Sequence, residues 1–195
     1  MNITFDQYTE EFLNSLKKIS KKNVEKFVKG LVSLKSKKGR LFFLGVGGSA
    51  ANCTHAVNDF RKLCGIECYS PIDNVAELTA RINDEGWDTS FSNWLNVSNL
   101  TNKDAILIMS VGGGNQKKKV SVNLIKAIEF AKKKKSKIFG IVSRDGGYTL
   151  KNADYVIHIP VDNAKLVTPI SEAMQAVIWH YIVSHPKTQI NKTKW

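Results

Sequence analysis

The sequence predicts an α/β fold, a three-layer α/β/α sandwich around a central parallel sheet with extra helices at the N-terminus. Short buried apolar runs recur at residues 40–44, 105–109, 137–142 and 155–159. Amphipathic stretches of helical period separate them. Two of the runs end in glycine-rich loops, each followed by a helical pattern. Strands that alternate with helices in this way lie parallel and are covered on both faces.

In chain order, residues 5–38 carry apolar stripes at helical spacing: Phe5, Tyr8, Phe12, Leu16 and Ile19, then Val24, Phe27, Val28, Leu31 and Leu34. They predict two helices, or one bent helix, before the first strand. Arg40 to Leu44 is that strand, Gly45 opens its loop, and Ser49 to Leu63 reads as a helix. Residues 74–100 are expected to be helical, with Trp87, Phe91 and Trp94 near one face. The strand Ala105 to Met109, the loop Ser110 to Asn115, a helix over Val120 to Lys134 and the strand Lys137 to Val142 repeat the grammar. The strand Tyr155 to Ile159 then leads to a helix from about Pro169 to Val183. The chain reads as one domain over residues 1–195: an N-terminal helical region 1–38, an α/β core 39–185 and a polar tail 186–195, expected to be mobile.

A length of 195 residues suits one ordinary domain. The charge is strongly basic, 29 Lys and Arg against 17 Asp and Glu, for a net +12. Such a balance fits nucleic acid, anionic surfaces or phosphorylated substrates. The lysine runs, Lys117 to Lys119 and Lys132 to Lys135 among them, fall in segments that read as solvated faces, and the chain lacks a nucleic-acid-binding motif. No nucleic-acid partner is expected. No apolar run approaches the roughly 18 residues of a membrane span, and Met1 to Glu10 lack a signal-like apolar core, so neither membrane insertion nor export is expected and the location is read as cytoplasmic. Cys53, Cys64 and Cys68 have neither redox-motif nor zinc-motif spacing and are expected to be reduced, partly buried thiols.

In an open parallel sheet the ligand sits beyond the carboxyl ends of the strands, where both glycine loops fall. Glycine lets backbone approach a ligand, and a following helix N-terminus offers free N–H groups to an anion. Gly45-Val46-Gly47-Gly48-Ser49-Ala50 also matches the relaxed dinucleotide fingerprint, with Glu67 at the distance of a ribose-binding acid. The second loop, Ser110-Val111-Gly112-Gly113-Gly114-Asn115, adds another anion cradle and favours a sugar phosphate over a dinucleotide.

Gly45-Val46-Gly47-Gly48-Ser49-Ala50-Ala51 with His55 and Asp59 resembles the SIS sugar-isomerase domain, Rossmann-like in fold, and within it the sedoheptulose 7-phosphate (phosphoheptose) isomerases. Residues 80–87 (ARINDEGW), 144–147 (RDGG) and the helix 172–180 (EAMQAVIWH) extend the likeness over roughly residues 5–185. The resemblance implies a homotetramer with active sites between subunits. The implied reaction is isomerisation of sedoheptulose 7-phosphate to D-glycero-D-manno-heptose 7-phosphate, which supplies heptose for capsule or lipopolysaccharide. Asp59 stands at the family's catalytic glutamate and His180 at its catalytic histidine. Some members bind zinc, at positions that are here His55, Asp59, Glu172 and His180. Substrate contacts carried over in the same way are Gly47, Gly48, Ser49, Asp59, Asn83, Asp84, Ser110, Gly112, Asn115 and Glu172.

The chain departs from the family's usual pattern: Val46 replaces asparagine, Asp59 glutamate and Glu172 glutamine, and Ser110-Val111-Gly112 replaces a Ser-Thr-Ser phosphate loop. These changes mark a divergent branch. Two rivals stand beside the isomerase: a non-catalytic sugar-phosphate-binding regulatory module and a dinucleotide-dependent dehydrogenase.

Overall fold

The structure, a computed structural model, describes residues 3–192. The residues at either end of the expected helical region and tail, 1–2 and 193–195, lie outside the described residues. Helices α1 (Phe5–Lys18) and α2 (Lys21–Ser36) precede strand β1 (Leu41–Gly45) and helix α3 (Gly48–Cys64). There follow β2 (Cys68–Tyr69), α4 (Val75–Glu85), α5 (Ser90–Val97), β3 (Ala105–Ser110), α6 (Val122–Lys133), β4 (Lys137–Val142), α7 (Gly147–Asn152), β5 (Tyr155–His158) and α8 (Val167–Ser184). The five strands form one parallel sheet in the order β2-β1-β3-β4-β5.

Two apolar cores lie on opposite faces of that sheet, because side chains alternate along a strand. Leu41, Phe43, Ala105, Leu107 and Met109 join Phe27, Phe60 and Trp179 in one core. Phe42, Leu44, Ile106 and Ile108 join Phe91, Leu124 and Ile128 in the other. The expected three layers are therefore present, with β1 paired Leu41 to Ala105 and β3 paired Ala105 to Lys137. At the amino ends of the strands, the Arg40 guanidinium donates to both carboxylate oxygens of Asp104, at 3.2 and 2.8 Å. Burial pushes the Asp104 carboxyl up, but hydrogen bonds from Arg40 and Thr101 offset this and hold it below its ordinary value.

Three local features differ from the sequence reading. The stretch 74–100 is divided, because Gly86 at φ 84 ends α4 before a single 3-10 turn at Trp87–Thr89 and the separate α5. The short strand β2, pairing with β1, had no periodicity long enough to announce it. The expected mobile tail is docked as far as Asn191: the backbone N–H groups of Ile190 and Asn191 donate to Leu63 O at 2.9 and 3.1 Å, and Thr188 is buried. The three cysteines are free and buried, and burial pushes the Cys64 thiol up to about 11.

Candidate active site

Gly47, at φ 64, turns the chain into α3 and provides no side-chain cap. The missing acceptor comes from α8. Glu172 Oε1 accepts from the backbone N–H of Ser49 at 3.0 Å and lies 3.4 Å from its hydroxyl. A Cβ on Gly48 would fall 2.4 Å from Glu172 Oε2, so a side chain there would displace that carboxylate. Asn52 Nδ2 donates to Gln175 Oε1 at 2.8 Å, and Gln175 Nε2 donates to Ser49 Oγ at 3.0 Å. This polar seam fixes α8 against the first loop.

The second loop is tied down on its other side. Val111 O accepts from Ser143 N at 3.1 Å, Gly114 O from Tyr148 N at 2.9 Å, and Gly113 O from both Thr149 N and Thr149 Oγ1 at 2.9 and 2.8 Å. Ser110 Oγ accepts from Gly113 N at 3.0 Å. Three of the loop's carbonyl oxygens are thus occupied elsewhere, while the N–H groups of Gly112 and Gly114 have no acceptor among the described residues. A Cβ on Gly113 would fall 2.0 Å from Gly146 O, whereas one on Gly112 would meet only Arg144 Cδ, at 3.9 Å.

Beyond the carboxyl ends of the strands lies a cavity of about 690 Å³. Ser49, Ser110, Gly112 and Asn115, four of the residues named as substrate contacts, line it. Ser121, Lys118, Arg144 and Thr168 also line it and had not been assigned. Lys118 belongs to a run that reads as a solvated face, and Arg144 sits in a recognised motif without a role of its own. The volume suits a small metabolite.

The third component stands further along α3. Asp59 Oδ2 lies 3.5 Å from His55 Nε2 and 3.4 Å from His180 Nε2. The spacing His55 to Asp59 is one helical turn, and α8 delivers His180 from the facing helix. Trp179 Nε1 donates to Asp59 Oδ2 at 3.1 Å, which orients the carboxylate. The two imidazoles are about half exposed, at 57% and 51%, and the carboxylate is recessed at 13%. One nitrogen from each ring and one carboxylate oxygen lie within 4.8 Å of one another and can hold a metal ion. Two imidazoles and a carboxylate are a donor set that leaves a coordination position open.

The fourth residue of the expected ligand set, Glu172, is not in this group, because its carboxylate caps α3. Nor do Asn83 and Asp84 line the cavity. They are exposed on α4 and hydrogen-bonded to each other at 2.7 Å. Asn115 lines the cavity but commits its side-chain oxygen to the N–H of Lys118, at 3.0 Å.

No protein-family model matches the chain. Among curated proteins it is 30% identical over 142 residues to the phosphoheptose isomerase of Buchnera aphidicola subsp. Schizaphis graminum, covering 71% of this chain and 70% of that one. It is 29% identical over 177 residues to the phosphoheptose isomerase of Helicobacter pylori strain P12, covering 87% and 83%. The solved structure of a phosphoheptose isomerase from Neisseria gonorrhoeae superposes with a TM-score of 0.78 at 19% identity over 92% of each chain. With a five-stranded parallel sheet and two glycine loops at its carboxyl edge, the chain is a sugar-phosphate isomerase of the SIS fold. Within that class it belongs to the phosphoheptose isomerase family.

Proposed function

We propose that this chain isomerises sedoheptulose 7-phosphate to D-glycero-D-manno-heptose 7-phosphate in the cytoplasm, for heptose-containing surface polysaccharide. One observation carries the reading: α3 begins at the cavity with Ser49 and carries His55 and Asp59 toward His180. The helical rise puts His55 roughly 9 Å beyond Ser49, a span suited to an extended sugar phosphate with its phosphate in the cavity and its carbonyl end at the imidazoles.

In this reading Asp59 takes a proton from C1 of the ketose and returns it to C2. His180 moves the proton between the O1 and O2 oxygens, so that the enediolate collapses to the aldose. The hydrogen bond from Trp179 holds Asp59 in place. His55, Asp59 and His180 would hold a zinc ion, which when bound supplies Lewis-acid polarisation of the substrate oxygens.

An open surface is a poor place for this chemistry, since water competes for every charge. The reading therefore includes a homotetramer with active sites between subunits. Three observations support it. Leu16, Val177 and Tyr181 are exposed around an apolar groove of about 420 Å³ between α1, α2 and α8. Tyr181 adjoins His180. Finally, α4 buries none of its residues within its own chain, which leaves Asn83 and Asp84 free to reach a neighbouring subunit's site.

Purified protein incubated with sedoheptulose 7-phosphate should yield an aldoheptose phosphate by NMR, and light scattering should report about four chains. Binding without turnover, with and without added zinc, would favour the regulatory module instead.

A further inference from the structure

The cavity carries charge in an arrangement that the reaction alone does not explain. Its charged lining consists of Lys118, Arg144, Asp145 and Asp162. Asp162 is paired with Lys18, and Asp145 accepts from the N–H of Gly147 at 3.3 Å. Neither Lys118 nor Arg144 has a side-chain partner among the described residues. Two residues with unpaired cationic side chains therefore line, beside Asp145, a cavity three of whose loop carbonyls are bonded elsewhere.

Both cations are held there by unusual backbone. Residues 115–120 form a tight hairpin: Asn115 N donates to Val120 O at 2.9 Å and Val120 N donates back at 3.0 Å. Asn115 Oδ1 accepts from Lys118 N within it. Lys119 at φ 51 and Ser121 at φ 52 take the left-handed conformation on either side of Val120, and Arg144 takes it at φ 49. Such a conformation is unfavourable for a non-glycine residue and persists only where its surroundings impose it. For Arg144 the neighbour is His158, whose Nε2 lies 2.8 Å from Arg144 O. The guanidinium stem passes over Gly112, the glycine of the second loop that has open space above it.

We infer that Lys118 and Arg144 form a cationic clamp that binds the substrate's phosphate, replacing the hydroxyl-rich cradle that Ser110-Val111-Gly112 lacks. The inference rests on the isomerase reading, which places a phosphate in this cavity. Losing hydroxyl donors removes hydrogen bonds to phosphate oxygens, and ammonium and guanidinium groups restore them in charge-assisted form. The clamp makes binding depend on phosphate charge, and hence on ionic strength, more than a neutral cradle would.

The test titrates the intact protein with inorganic phosphate, with sedoheptulose 7-phosphate and with unphosphorylated sedoheptulose, at low and high salt. Lys118→Gln and Arg144→Gln should each weaken both phosphorylated probes by about 10-fold at low salt. The double variant should lose most of its salt dependence, and binding of the free sugar should be unchanged. Lys118→Arg should recover most of the affinity. Lys117→Gln, one residue away and outside the cavity lining, should bind as the unmodified protein does. Unaltered phosphate affinity in both single variants, or equal losses for phosphorylated and free sugar, would overturn the clamp. Failure of the isomerase reading would show separately, as unmodified protein that binds phosphate and never converts the ketose.

Discussion

The carboxylate of Glu172 caps a helix to which it does not belong: it accepts from the N–H of Ser49, at the start of α3, at 3.0 Å. A helix N-terminus in a glycine loop is an anion site. Here the chain supplies its own anion, and Gly48 makes the space for it. In the proposed clamp an incoming phosphate would meet Lys118 and Arg144 beside the second loop, since Glu172 already occupies the Ser49 N–H in the first.

Removing that cap should cost stability before it costs chemistry. Glu172→Ala should lower unfolding free energy by about 1 kcal/mol, the usual worth of a side-chain N-cap. Glu172→Gln keeps an oxygen acceptor and should lose less. Paired thermal melts and metal analyses check this, and a Glu172→Ala protein of unchanged stability but reduced metal content would make Glu172 a ligand after all.

The second loop offers a contrast between neighbours. Gly113 has φ +66 and faces Gly146 O, so Gly113→Val should destabilise by about 2 kcal/mol or more. Gly112→Ala should fold normally and weaken phosphate, because its Cβ enters the cavity beneath Arg144. Denaturant titrations and phosphate binding, measured on both variants, separate the two roles.

At the His–Asp–His group, Asp59→Asn and His180→Ala should each reduce turnover by roughly 100-fold or more with the fold retained. Initial rates and far-ultraviolet circular dichroism on the same preparations are sufficient. Turnover close to normal in either variant would assign the proton transfer to another residue.

Protein purified without chelator should contain zinc at a substantial fraction of one per chain, and His55→Ala should lower that content. Elemental analysis reads it directly. Full activity in metal-free protein would show that Asp59 and His180 suffice.

Stability should fall on the acid side through Asp104. Its carboxyl titrates lower in the folded chain than in the unfolded one, so its contribution is complete above the ordinary carboxylate range of about 4 and is lost as pH drops through the lower folded value. Asp104→Asn should be less stable near neutral pH and should show a flatter acid limb, measured as unfolding free energy between about pH 3 and 7.

Much of this was legible in order along the chain. Strands β1 and β3 follow from apolar runs that alternate between two cores, and the glycine loops follow from the need for close backbone approach at their carboxyl ends. His55 and Asp59 share a face because four residues make about one helical turn. His180 required the family pattern, since no local signal distinguishes it from a core histidine beside Trp179.

Elements whose information is local, in period, turn chemistry and motif, could be read along the chain. The tertiary structure alone decided the uses of side chains whose partners lie far away in the chain. Glu172 became a cap because α8 packs on α3, and Trp179 became the donor to Asp59 for the same reason. Lys118, one lysine in a run, lines the cavity because a hairpin closed by Asn115 and Val120 bends it there. A hydrogen bond or an unpaired charge depends on what packing brings within a few ångströms, and that distance is not encoded in the spacing of residues along the chain.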